Sequence, residues 1–280
     1  MGFDVSLGQY YEAKSLIHKL DPRTKLLFVI MFMISTFVAK DIYAFLFLLG
    51  VVLLSIIVSR VPLRVIFKGL RGLALIILFT AILNILWTKG EGEPLASWRI
   101  IPNFWTINIY KDGLINAGIL ALRIIMLLIG TTLFLSYTTT PIELTDGIET
   151  ALSPLKKIKL PVHEFSMLMT IALRFIPTLT EETGKIINAQ KARGGDFSSG
   201  GLIKKVKALI PIIIPLFVSA FRRADELAIA MECRCYRGGE GRTRMKKLKF
   251  KVKDVFGFLF AIAILAGVIL INIYAPGYEI

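Results

Sequence analysis

Two arginines stand in nearly the same setting, Ala192-Arg193-Gly194 followed by Gly195, and Cys233-Arg234-Cys235 followed shortly by Gly238-Gly239. One arginine near a helix C-terminus ordinarily complements the helix dipole or touches lipid headgroups. Here the arrangement occurs twice, each time between small residues that let a partner's backbone come close. The guanidinium can then form paired, planar hydrogen bonds to a carboxylate or to carbonyls. That is docking chemistry, and catalysis finds no comparable support. No G-x-x-x-x-G-K-[ST] occurs, so the chain carries no P-loop. The glycine-rich stretch 194–201 has no strand before it and reads as a linker. His18 and His163 lie far apart without ligand-type spacing, which gives them structural or surface roles. Cys233 and Cys235 form a C-x-C pair unsuited to a disulfide and too few for zinc, so they read as small residues in a reducing compartment. No catalytic residue, metal site or cofactor of the chain's own is expected.

The elements that must position these arginines follow from composition. Of 280 residues, 55% are hydrophobic and 19% charged, yet the net charge is +14. A chain this apolar and this basic points to a membrane protein with its cations toward the anionic cytoplasmic leaflet, and not to nucleic-acid binding. Five segments read as membrane spans: 24–40, 42–59, 70–87, 114–137 and 254–274. Pro62 begins an amphipathic lead-in to the third span, with Arg64, Lys68 and Arg71 on one face, suited to lipid phosphates or an acidic partner. Asp21 as N-cap and Pro22 as first helical residue open the first span. Apart from residues at span ends, Arg123 is the one ionisable side chain within the spans. An intramembrane charge is by default a candidate functional residue, set here against plain pairing with carbonyls, Asn116 or Asn84.

The positive-inside rule places the N-terminus inside and the C-terminus outside. Lys14, Lys19, Arg23, Lys25, the Arg60–Arg71 group and most of the cations between Lys156 and Lys253 then face the cytoplasm. The outside loop 88–113 has its three cations offset by Glu91, Glu93 and Asp112, and its β-branched, aromatic 99–110 stretch admits a short β-hairpin. The domains expected are a membrane domain (1–137), a cytoplasmic region (138–253) and a last span with its tail (254–280). Within 138–253, a short helix runs from Pro141 to before Pro154. Two long helices follow, about 162–191 and 202–236, the first interrupted by Pro177 and the second by Pro211 and Pro215. Each begins apolar, becomes charged and ends at its arginine, a weak internal repeat. Their apolar stretches, 165–179 and 206–221, are short for spans and better suited to interfacial or buried helices. A membrane hairpin would carry Arg193 outside, against the positive-inside rule.

The run Ser15-Leu16-Ile17-His18-Lys19-Leu20-Asp21-Pro22-Arg23-Thr24-Lys25, the two arginine motifs, and Cys233 through Thr243 resemble the T component, EcfT, of energy-coupling factor transporters (the EcfT/CbiQ family). The likeness covers nearly the whole chain. It implies an all-α membrane scaffold whose long cytoplasmic helices couple to ATPases, crossing in an X. It further implies that Arg193 and Arg234 dock into two P-loop ATPase subunits of EcfA and EcfA′ type, which carry the ATP-Mg. The apolar faces of the same helices would hold an S component that binds a vitamin or similar micronutrient, in a prokaryotic cell membrane. The family's second motif more usually begins Ala-Arg, where Cys233 stands here. The rival is a self-contained secondary transporter or channel, which commonly places carboxylates or broken helices at mid-membrane.

Overall fold

The computed structural model describes residues 10–13, 15–88, 96–101, 105–154, 161–195, 201–238 and 250–274. Residues 196–200 of the linker and the 239–249 run after Arg234 lie outside them. The described residues fall into two compact units, one within Gln9–Thr140 and Leu248–Ile280, the other within Pro141–Lys247.

The first unit holds helices α1 (Pro22–Val38), α2 (Ile42–Ser59), α3 (Leu63–Arg71), α4 (Ala74–Trp87), α5 (Lys111–Thr131) and α9 (Val252–Tyr274). Strands β1 (Ala96–Ile101) and β2 (Trp105–Ile109) pair antiparallel between α4 and α5, with Ala96 opposite Ile109. Asp21 accepts the Arg23 N–H at 3.0 Å and Pro22 takes the first helical position, the cap that the sequence proposed. Among the described residues, three helical stretches are long and apolar enough to cross a membrane: Ile42–Ser59, Lys111–Tyr137 and Val252–Tyr274. The α3–α4 pair, bent by 60°, would make a fourth. The expected first span, 24–40, corresponds to α1, whose 17 residues make about 25 Å at 1.5 Å each, short of a hydrocarbon core of about 30 Å.

Helix α1 is nonetheless the centre of its unit. Phe28 lies 4.2 Å from the Phe134 ring and 6.1 Å from that of Phe260, centre to centre. Gly257 brings α9 close to the start of α1, where a Cβ would stand 3.0 Å from Thr24 Cγ2. At the other end Asn272 Nδ2 donates to the Val38 carbonyl at 2.8 Å. Helices α1 and α9 therefore run parallel. Helix α5 runs against them, because Lys25 Nζ donates 2.6 Å to the carbonyl of Thr138, just beyond the α5 end. Helix α5 passes into a π-helical turn, Thr132–Tyr137, whose freed carbonyls find other donors. Both the Thr138 and Thr139 hydroxyls donate to Phe134 O, and the Tyr11 N–H to Tyr137 O.

The second unit holds α6 (Pro141–Ala151), α7 (Val162–Ala192) and α8 (Leu202–Cys233). Helix α7 packs on both α6 and α8. The long helices run on through their prolines, α7 through Pro177 and α8 through Pro211 and Pro215. A proline removes one ladder hydrogen bond and crowds one carbonyl, at about 3 kcal/mol, which a helix of more than thirty residues survives.

Candidate docking site

Helices α7 and α8 end in the same way. The N–H of Gly194 reaches the Lys191 carbonyl (3.0 Å) and that of Gly195 the Gln190 carbonyl (2.9 Å). In α8 the N–H of Cys235 reaches Glu232 O (2.8 Å) and that of Tyr236 reaches Met231 O (3.1 Å). These are paired Schellman closures, which satisfy the last carbonyls and turn the chain through a left-handed residue. That residue is Gly194 in one case (φ 82°) and Cys235 in the other (φ 56°). Arg193 and Arg234 occupy the identical C-cap position, with φ, ψ of −86°, 8° and −91°, 12°. Ala192, Arg193, Gly194, Cys233, Arg234 and Cys235 are all exposed, and both cysteines are free thiols. The likeness seen between the two sequences is thus a likeness of backbone.

A tie joins the two helices. Glu182 of α7 accepts a hydrogen bond from the Ser219 hydroxyl of α8 (2.5 Å) and from Arg223 Nη2 (2.9 Å). The Ser219 hydroxyl above all holds the Glu182 carboxyl below the usual carboxylate range; burial opposes it and the Arg223 guanidinium adds to it. Arg193 lies eleven residues beyond Glu182 and Arg234 eleven beyond Arg223, so each arm is about 16 Å long. Beside the tie, Ile171, Phe175 and Leu179 face Ala224, Leu227 and Ala228 across an apolar groove. Much of the rest is uncovered: Phe165, Leu168, Ile213, Ile214, Phe217 and Phe221 are each more than half exposed. An apolar surface of that extent calls for a membrane or a partner.

Arg123, the other candidate, belongs to the first unit. Its Nη2 donates to the Ala39 carbonyl at 3.1 Å, and its guanidinium carbon lies 5.1 Å from the Phe45 ring centre. With Asn272 on Val38 O, it satisfies the last carbonyls of α1, which otherwise end without a partner among apolar helices. Asn84, a suggested partner, instead accepts the Thr88 hydroxyl at 3.0 Å.

Sequence reasoning missed the partly exposed Glu182 tie and a buried carboxylate clasp. Asp254 accepts the Asp21 and Lys251 N–H groups, both at 2.7 Å, and clasps the starts of α1 and α9. Lys25 and Asp254 had the look of ordinary span-end charges, yet each is about 1% exposed. His163 Nδ1–H donates to the buried Glu149 carboxylate at 3.1 Å, joining α6 to α7. No cluster of three metal-ligating side chains occurs among the described residues.

Residues 13–245 match the cobalt transport protein family, CbiQ. The chain is 50% identical over 271 residues to the energy-coupling factor transporter transmembrane protein EcfT of Clostridium kluyveri, covering 97% of this chain and 98% of that one. It is 49% identical over 252 residues to the protein of the same name from Bacillus subtilis (89% and 91% covered). To that of Lactococcus lactis it is 46% identical over 248 residues (89% and 90% covered).

Proposed function

The chain belongs to the cobalt transport protein (CbiQ) family, and from that premise we propose that it is the transmembrane T component of an energy-coupling factor importer. Arg193 and Arg234 dock into two P-loop ATPase subunits of EcfA and EcfA′ type. Those subunits hold the ATP-Mg, and this chain performs no catalysis. The observation that carries the reading is the pair of exposed arginines at one C-cap position on two tied helices. When the ATPases close on ATP, the two ends move as levers of equal length about the Glu182–Arg223 tie. The apolar faces of α7 and α8 carry an S component for a vitamin or similar micronutrient, and their uncovered phenylalanines and isoleucines support that. Helix α1 counts as the fifth span, its shortness made up by the caps from Arg123 and Asn272. The N-terminus and 138–253 lie in the cytoplasm and the C-terminus outside.

The test is uptake and co-purification by Arg193→Glu and Arg234→Glu variants. Each is expected to abolish transport and release an ATPase subunit in mild detergent, with membrane insertion intact. Undiminished uptake in both variants sinks the reading. The secondary-transporter alternative loses its main residue, since Arg123 is engaged in capping α1.

A further inference from the structure

A groove of about 630 Å³ runs along the first unit between α1, α2, α9 and the Ile17–Lys19 turn, within the range of about 300–1,000 Å³ usual for ligand clefts. Its floor is made by buried Ile17, Phe28 and Phe134. Its rims, Leu54, Phe256 and Leu259, are each more than half exposed, so the groove opens on the outer surface of the bundle. Besides the Ser55 hydroxyl, the lining offers one polar side chain, Lys253. That lysine stands in the first turn of α9, at the end of the bundle where α1 also starts.

Positive charge is in excess at this mouth. Lys253 and Lys251 are exposed, as is Lys19, the chain neighbour of the lining residue Leu20. None of the three side chains has an ion-pair partner among the described residues. Buried Asp254, the adjacent carboxylate, accepts backbone N–H groups at both oxygens and makes no ion pair with these side chains, so three lysines stand against one carboxylate. We propose that this groove is a binding site for one anionic phospholipid, its acyl chain lying over Phe28 and Phe134 and its phosphate at Lys253. An acyl chain brings no donor or acceptor into a trough that could satisfy almost none. Cations at the end of a membrane helix select a negative headgroup over a zwitterionic one. The site uses neither docking arginine, and its failure leaves the scaffold reading untouched.

The experiment is native mass spectrometry of the purified complex offered phosphatidylglycerol and phosphatidylcholine in equal amounts. Preferential retention of phosphatidylglycerol is expected. Lys253→Gln should weaken that binding about fivefold and leave phosphatidylcholine unchanged, since one interfacial lysine is worth about that factor. Ala263→Phe, which fills the groove, should reduce both. Equal retention by the natural protein, or an unaltered preference in Lys253→Gln, overturns the proposal. A photoreactive side chain at Leu259, irradiated in native membranes, decides the occupant without relying on a disabling variant. A phospholipid adduct supports the site, and a polypeptide adduct overturns it.

Discussion

At the two helix ends the same C-cap arginine is followed by different left-handed residues, and the difference has a measurable cost. Gly194 adopts φ 82° without a Cβ to crowd the backbone, whereas Cys235 holds φ 56° with one. A side chain in that region costs about 1–2 kcal/mol. Cys235→Gly should therefore raise thermal stability by about 1 kcal/mol while uptake persists. A loss of uptake would mean that the thiol itself meets the partner. Glu182 gives a second prediction at this scale. Its folded-state pKa is lowered by Ser219 and Arg223, so the stabilisation is complete above the ordinary value of 4.5 and is lost as pH falls through the lowered one. Glu182→Gln should lower the melting temperature of the natural complex at about pH 7 and make little difference at an acidity where the carboxyl is protonated. A deficit equal at both would show that the tie acts by shape alone.

At the scale of elements, close approach governs the first unit. A Cβ on Gly130 of α5 would stand 2.5 Å from Phe32 Cε1 of α1, so Gly130→Val forces the ring aside. Overpacking of this kind costs about 1–3 kcal/mol, to be read as a lower melting temperature in detergent. Lys25→Met, which strands the Thr138 carbonyl, should cost about as much. Helix positions were largely legible in the sequence, because Pro22, Pro62 and Pro141 sit at helix starts and Gly194 at a stop. Pro177, Pro211 and Pro215 lie inside helices and not at their ends: a proline weakens a helix locally, and neighbouring turns carry the chain past it. The arginine ends could be read from type and spacing alone. Their tie could not, since Glu182 and Arg223 are 41 residues apart and look like surface charges. The Lys25 contact spans 113 residues, and no local pattern announces it.

For the whole molecule, the number of crossings decides what the two arginines can reach. With α7 and α8 outside the bilayer core, Ala192 and Cys235 face the same compartment. With the pair as a membrane hairpin they face opposite ones. An Ala192→Cys variant freed of the native cysteines, labelled with an impermeant maleimide in oriented vesicles, should react from the same side as native Cys233 and Cys235. Labelling from opposite sides would establish the seven-span form and remove the common docking surface.

The parallel packing of α1 on α9 also has a consequence for synthesis. Asp21 meets its partner Asp254 across 233 residues. At about 5–20 residues per second, the first helix waits roughly 10–50 s before the last one leaves the ribosome. Over that interval Asp21 lacks its distant carboxylate and Phe28 one of its neighbouring rings, in a helix too short to span comfortably alone. The nascent chain is thus exposed to quality-control proteolysis until its final helix inserts, and a ribosome stalled before Val252 should yield a product that is cleared rather than stored.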